Sequence, residues 1–351
     1  MRAARLGADE EHLKGFHVGD RIDVIPKGSH PSDQIERRRR NRVTRTGKPV
    51  STRGVLSTSV GTHRGSFTPL DWGLFASIGV IWGSSFLLIA IGLEAFEPGL
   101  ITWLRVALGA ATLLLLPAAR ARVDREDRAR LIALSFLWVA VPFTLFPLAQ
   151  QWISSGLTGL LNGALPIFAT AIGALMLRRL PGRAQAVGLV MGFAGVTAIA
   201  SPSLARGSDE ALGVVLVLAA VSCYGVAINI AAPLTQRYGA LPVMARMLSL
   251  ATVWTAPFGL VGLAGSTFSW GSFAAIIALG ALGTGIAFAL MGRLVSRVGS
   301  SRASFATYVI PVVALVLGAV FLDETVRALS MVGIGLVIAG ALLASRKERG
   351  A

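Results

Sequence analysis

The chain has 351 residues; 54% are hydrophobic and only 15% are charged, against about a quarter in ordinary soluble domains. Its net charge of +15 would suggest a nucleic-acid ligand in a soluble protein, but the charge lies in a tail and in short breaks between apolar runs, which points to membrane topology and away from nucleic acid. Cys223 is the one cysteine and lies in an apolar run, so an intrachain disulfide is excluded, and no metal or cofactor motif is present.

Residues 1–71 form a separate compositional region. They hold 14 Lys/Arg, eight acids and all four histidines, including the run Glu36-Arg37-Arg38-Arg39-Arg40. No helix or strand period persists there, so a disordered cytoplasmic tail is expected. It reads either as a basic arm for anionic headgroups, or as a solvated tail or over-extended translation start. No apolar segment precedes Trp72, so it is not a signal peptide.

From Trp72 onward ten apolar runs follow, at 72–92, 98–117, 131–150, 157–177, 184–201, 211–232, 241–263, 272–292, 301–322 and 328–345. At 1.5 Å per residue each crosses a hydrocarbon core of about 30 Å. The spacing predicts an all-α integral membrane protein of ten transmembrane helices. Counted alternately, the breaks on the side of the N-terminus carry 15 Lys/Arg and those on the other side two, Arg206 and Arg327. The positive-inside rule then gives cytoplasmic N- and C-termini, with 346–351 as a short cytoplasmic tail in a cell (inner) membrane.

The chain repeats itself. At an offset of 145, residues 155–200 align without a gap on 300–345, with ten of 46 positions identical. Pro166/Pro311, Gly173/Gly318, Gly188/Gly333 and Gly195/Gly340 are among the matches. Weaker matches, Gly73/Gly213 and Arg105/Arg246, reach the earlier spans. The repeats are thus 72–201 and 211–345. Each has five spans, an odd number, so the second is expected inverted relative to the first.

Ile81-Trp82-Gly83-Ser84-Ser85-Phe86, Pro98 with Trp103-Leu104-Arg105, Asn162 with Leu165-Pro166, Gly283-Thr284, and Arg302-Ala303-Ser304, Tyr308, Pro311 and Leu322-Asp323-Glu324 together resemble the drug/metabolite transporter superfamily, EamA-type. The resemblance runs from about Leu70 to Ser345. It implies two inverted five-helix repeats around a central cavity and secondary transport of a small metabolite, amino-acid-like and expected to be exported, by alternating access; a membrane-embedded enzyme is not expected, because the spans hold no histidine and no acid for a catalytic set. Drugs, nucleosides or sugars as cargo, or a scaffold that transports nothing, are the alternatives. Family members often carry a glutamate after the fourth span, where this chain has Arg178-Arg179. That puts a symmetric acidic pair in doubt.

Apart from Arg302 at the very start of its run, two Lys, Arg, Asp, Glu or His residues fall inside the predicted spans, Arg105 and Arg246, at matching repeat positions. Arg105 is expected either to face the cavity and bind an oxyanion, or to pair with Glu94 or Glu97. Arg246 is close enough to its span end to snorkel, and with Glu324 is a candidate for gating or coupling. No acid or histidine lies within a span, so exchange or facilitated diffusion fits as well as proton antiport. Trp82, Ser84, Ser85, Asn162, Tyr224, Asn229, Thr284 and Tyr308 are the other cavity candidates, with helix–helix hydrogen bonding as their bland alternative. Pro166 and Pro311 should kink their helices as hinges or static bends. Gly188, Gly192, Gly195, Gly333, Gly335 and Gly340 offer close helix approach, within one chain or in a homodimer.

Overall fold

The computed structural model describes residues 66–344, apart from Leu177, Arg179, Arg206 and the side chains of Ser300 and Ser301. The basic run Glu36–Arg40, nearly all of the predicted tail, Ser345 and the segment 346–351 lie outside the described residues. The described residues are all-helical, without a strand.

Eight helical segments are long and apolar enough to cross a membrane: α1 (Pro69–Leu93), α3 (Arg125–Ala149), α4 (Ser155–Met176), α5 (Arg183–Leu204), α6 (Ser208–Tyr238), α7 (Ala240–Gly262), α8 (Trp270–Val298) and α9 (Ser304–Phe321). Two shorter apolar helices of 17 residues, α2 (Pro98–Leu114) and α10 (Ala328–Ala344), complete the order. Exposed Val190, Val261, Val320 and Phe321 coat the outside of the bundle, the surface of a multi-pass membrane protein rather than of a soluble one.

Local chemistry sets several ends. Helix α1 starts at Pro69, inside the stretch assigned to the tail, because Thr68 and Asp71 form a capping box. Arg297, near the end of α8, pairs with Asp71 and holds that start down. Helix α2 ends at Leu114, three residues before the predicted 117. Leu116 is extended ahead of Pro117, as the residue before a proline prefers, and a 3-10 turn Pro117–Arg120 follows.

The predicted kinks are real breaks. In α4 the regular helix stops at Asn162 and resumes at Leu165, so Pro166 is the second residue of a new segment. In α9 a 3-10 stretch Ser304–Tyr308 precedes a segment that starts at Ile310, with Pro311 again second. Each proline lacks the N–H that would close the turn behind it.

Packing between helices follows the repeat. Under the exchange of α1–α5 with α6–α10, the contact of α2 with α8 maps onto that of α7 with α3. Likewise α3 with α6 maps onto α8 with α1, and α4 with α6 onto α9 with α1. The pairs α5–α10, α2–α7 and α4–α9 map onto themselves. A two-fold relation between the halves produces this pattern.

The α5–α10 contact gives the direction. A Cβ on Gly188 would lie 2.5 Å from the Gly340 carbonyl oxygen, and one on Gly195 would lie 2.6 Å from that of Gly333. The first half of α5 thus meets the end of α10, so the two helices run antiparallel. Offset 145 turns one glycine pair into the other. Gly335 is the exception among the predicted glycines: nothing lies within 4 Å of its missing Cβ. It points away from the seam, because it is two residues, or about 200°, round the helix from Gly333.

The backbone repeats too. Arg178 and Asp323, 145 apart, are the positive-φ residues other than glycine among the described ones, at 49° and 51°. Both end the helix that contains the proline. The third and eighth helices each contain a π-helical stretch, Ser135–Ala140 and Ala278–Ile286. Nothing in a 3.6-residue pattern signals either one.

Candidate functional site

A cavity of about 620 Å³ lies between the halves. Its deep end is walled by Trp82, Phe86, Arg105, Phe143, Phe146 and Asn162. Its lining continues past Tyr224 and Asn229 on α6 to Gln236, the Gly239–Ala240 turn, and Ser296 and Ser304 at the facing ends of α8 and α9. The Phe86 and Phe146 rings meet edge to face at 5.6 Å and form the floor. The wall is mostly apolar and aromatic with a few convergent polar groups, the composition of small-molecule sites.

Of the candidates from sequence, Trp82, Ser85, Arg105, Asn162, Tyr224 and Asn229 line this cavity. Trp82 packs edge-on against Phe288, 5.9 Å between ring centres. Ser85 Oγ donates to the Ile81 carbonyl, so its remaining capacity is to accept. Asn229 Nδ2 donates to Ala169 (3.1 Å) and Gly225 (2.8 Å), so it ties α6 to α4 as well as lining the wall. Asn162 Oδ1 is buried without a hydrogen-bond partner. The Asn162 carbonyl also loses the N–H that Pro166 cannot supply. Thr307, its counterpart at offset 145, lines the opposite wall and stands in the same relation to Pro311.

Arg105 is the charged residue of the cavity wall. It is 6% exposed. Its Nε donates to Thr284 Oγ1 at 3.1 Å, and its guanidinium carbon sits 3.8 Å from the centre of the Phe143 ring. The expected pairing with Glu94 or Glu97 is not made. Glu97 lies instead against Gly262 and Gly265, and its N–H donates to Ser266.

Ser84, Thr284 and Tyr308 are not among the lining residues. Ser84 donates to its own helix at Ile81. Thr284 is fully buried in the π-helical stretch of α8 and donates five residues back to Leu279. That wider turn brings Gly283 to the cavity and leaves Thr284 behind Arg105 as its holder. Tyr308 packs on Phe305, and the 3-10 stretch presents Thr307 and Ser304 in its place.

Arg246 lies half-buried away from the cavity. Its Nη1 donates to Pro242 (3.3 Å) and Ala119 (3.5 Å), so it braces the 3-10 turn after α2. Glu324 takes a different post. Its Oε1 accepts from Ser155 N–H at 2.7 Å and its Oε2 from Gly156 N–H at 2.8 Å, so it caps the start of α4 from the far end of α9. Two glycines make room: a Cβ at Gly156 or Gly318 would fall 2.7 or 2.4 Å from Oε2. The next connections are stitched as well, by Thr267 N–H to the Ala95 carbonyl and Ser272 to the Ile91 carbonyl.

The EamA-like transporter family model matches residues 72–201 and again 211–346, most of the chain in two copies. The chain belongs to the EamA-like transporter family. Among the relatives of this EamA-like protein, an uncharacterized transporter of Archaeoglobus fulgidus is 26% identical over 79% of this chain and 99% of its own. A probable terminal-alkyne amino-acid exporter of Streptantibioticus cattleyicolor is 28% identical over 80% and 94%. A solved crystal structure superposes with a TM-score of 0.54 over 78% of this chain and 96% of the other; at 17% identity it speaks for the fold alone. Family and relatives are those of transporters, not of enzymes.

Proposed function

We propose that this EamA-like protein is a secondary carrier that exports a small, amino-acid-like organic solute across the inner membrane by alternating access. One observation carries the reading: the cavity is lined by both halves and reaches one end of the bundle, while at the other end Glu324 ties α9 to the start of α4. Rocking the halves about such a site exchanges which end is open. The exporter of Streptantibioticus cattleyicolor supports the amino-acid-like class.

The reading takes all ten helices, the two of 17 residues included, as spans with both termini cytoplasmic. The bias of Lys/Arg toward alternate connections supports that orientation. The mouth beside Gly239–Ala240 is then cytoplasmic and the Glu324 end external. In a Cys223→Ser background, Val326→Cys should react with a membrane-impermeant maleimide on intact cells. Leu180→Cys should react only after permeabilisation. The reverse pattern would overturn the orientation.

Ala232 lines the wall between Asn229 and the mouth. Ala232→Trp should fill the passage and cut solute counterflow in proteoliposomes at least about tenfold, while leaving membrane abundance and melting temperature near those of the parent. Flux at the parental rate would remove the cavity from the transport path.

A further inference from the structure

We infer that the cavity selects solutes bearing a carboxylate on an apolar or aromatic body, with the carboxylate seated on the terminal nitrogens of Arg105; this rests on the carrier reading and names the class of its cargo. Among the described lining residues Arg105 alone carries a charge, and no acid lines the wall. Its Nε is engaged by Thr284. The terminal nitrogens, which hold four of its five N–H groups, have no hydrogen-bond partner and no carboxylate within 4.0 Å among the described residues.

A guanidinium only 6% exposed and without a counter-ion is costly. Stacking on Phe143 offsets only part of that cost. An incoming carboxylate supplies both the missing charge and two parallel acceptors that match the fork. Thr284 is a positioning residue, because its hydroxyl fixes the guanidinium plane through Nε and leaves the other edge toward the cavity. Trp82, Phe146 and Phe288 provide the apolar wall for the body of the solute. The buried, unpartnered Oδ1 of Asn162 is an acceptor for an ammonium or amide N–H, so amino acids fit as well as simple acids. A cation without a carboxylate meets Arg105 with no acid to balance it.

The test uses the full-length protein in proteoliposomes with phenylpyruvate, phenylalanine and phenylalaninamide, which share one ring and differ in charge. The two carboxylates should exchange at least about tenfold faster than the amide, the effect of one charge-assisted hydrogen bond. Arg105→Gln should lower carboxylate exchange at least about tenfold and narrow the preference, with Arg105→Lys between them because it keeps charge without the fork. In detergent, phenylpyruvate should raise the melting temperature of the parent and not that of Arg105→Gln. Equal exchange of the amide, or parental carboxylate exchange by Arg105→Gln at equal reconstituted amounts, overturns the inference and leaves the carrier reading standing. Carboxylate-dependent stabilisation without flux upholds Arg105 as the carboxylate seat and removes the carrier reading. The absence of both stabilisation and flux overturns the inference.

Discussion

Gly340→Leu is expected to lower the melting temperature in detergent by about 10 °C, from overpacking worth about 3 kcal/mol. The reason is what the new side chain would meet. A Cβ at Gly340 would stand 2.6 Å from both the Gly188 carbonyl oxygen and the Gly192 nitrogen. These are backbone atoms of α5 and cannot turn aside like a side chain. The helices must separate, and the reciprocal contact at Gly195 and Gly333 separates with them. In a bilayer, where lipid tails are as apolar as the helices, such close backbone packing is the main force between α5 and α10. Gly335→Ala is the internal control. It lies on the same helix with nothing within 4 Å, so it should be neutral or gain up to about 1 kcal/mol from helix propensity. Fluorescence-detected size exclusion after a temperature series reads both. A Gly340→Leu protein as stable as the parent would show that α5 and α10 do not meet at this seam.

The second large effect is expected at Glu324. Glu324→Ala removes two charge-assisted hydrogen bonds to the start of α4, each worth about 1.5 kcal/mol or more when well shielded. Glu324 is half-exposed, so about 2 kcal/mol in all is a fair expectation, or some 30-fold in the balance between closed and open at that end. Leu160 is 2% exposed and lies just inside the cap, on the wall of a smaller cavity there. In a Cys223→Ser background, Leu160→Cys should therefore react with an impermeant thiol reagent at least about tenfold faster once Glu324→Ala is added. Glu324→Gln should fall close to Glu324→Ala, because its amide N–H₂ would face a backbone N–H. Unchanged reactivity in both would reduce Glu324 to a surface residue.

This cap also explains an asymmetry visible in the sequence. The counterpart of Glu324 at offset 145 is Arg179, which cannot accept from a helix start. Arg178 and Asp323 nevertheless share the same left-handed turn. The duplication thus kept the backbone geometry of the exit and changed the chemistry of the next residue. The acceptor that Glu324 supplies in one repeat therefore has no chemical equivalent at the matching position of the other.

Several features were legible in the chain because they depend on composition along a single helix. Apolar run length gave the helix ends to within six residues, and the offset of 145 marked glycines that meet between the halves and the prolines that break α4 and α9. Polar residues stranded in apolar runs picked out Arg105, Asn162 and Asn229, because lipid makes an unpaired polar group expensive wherever the helix turns. Ser84, Thr284 and Tyr308 show where that logic stops. A polar side chain can spend its hydrogen bonds on its own helix, as Ser84 does, or on its helix and a neighbour together, as Thr284 does by donating to Leu279 and accepting from Arg105.

What the sequence determined by itself was membrane character, duplication and the family, since each follows from hydropathy, spacing and motif order along the chain. What only the tertiary structure decided was aim. The π-helical stretch of α8 and the 3-10 stretch of α9 take the residues within them off the 3.6-residue register, so Gly283 and Thr307 reach the cavity where Thr284 and Tyr308 were expected. The partners of Arg105 and Glu324 lie 179 and 169 residues away. Such pairings follow from how helices pack against one another, and no local pattern in the chain encodes them.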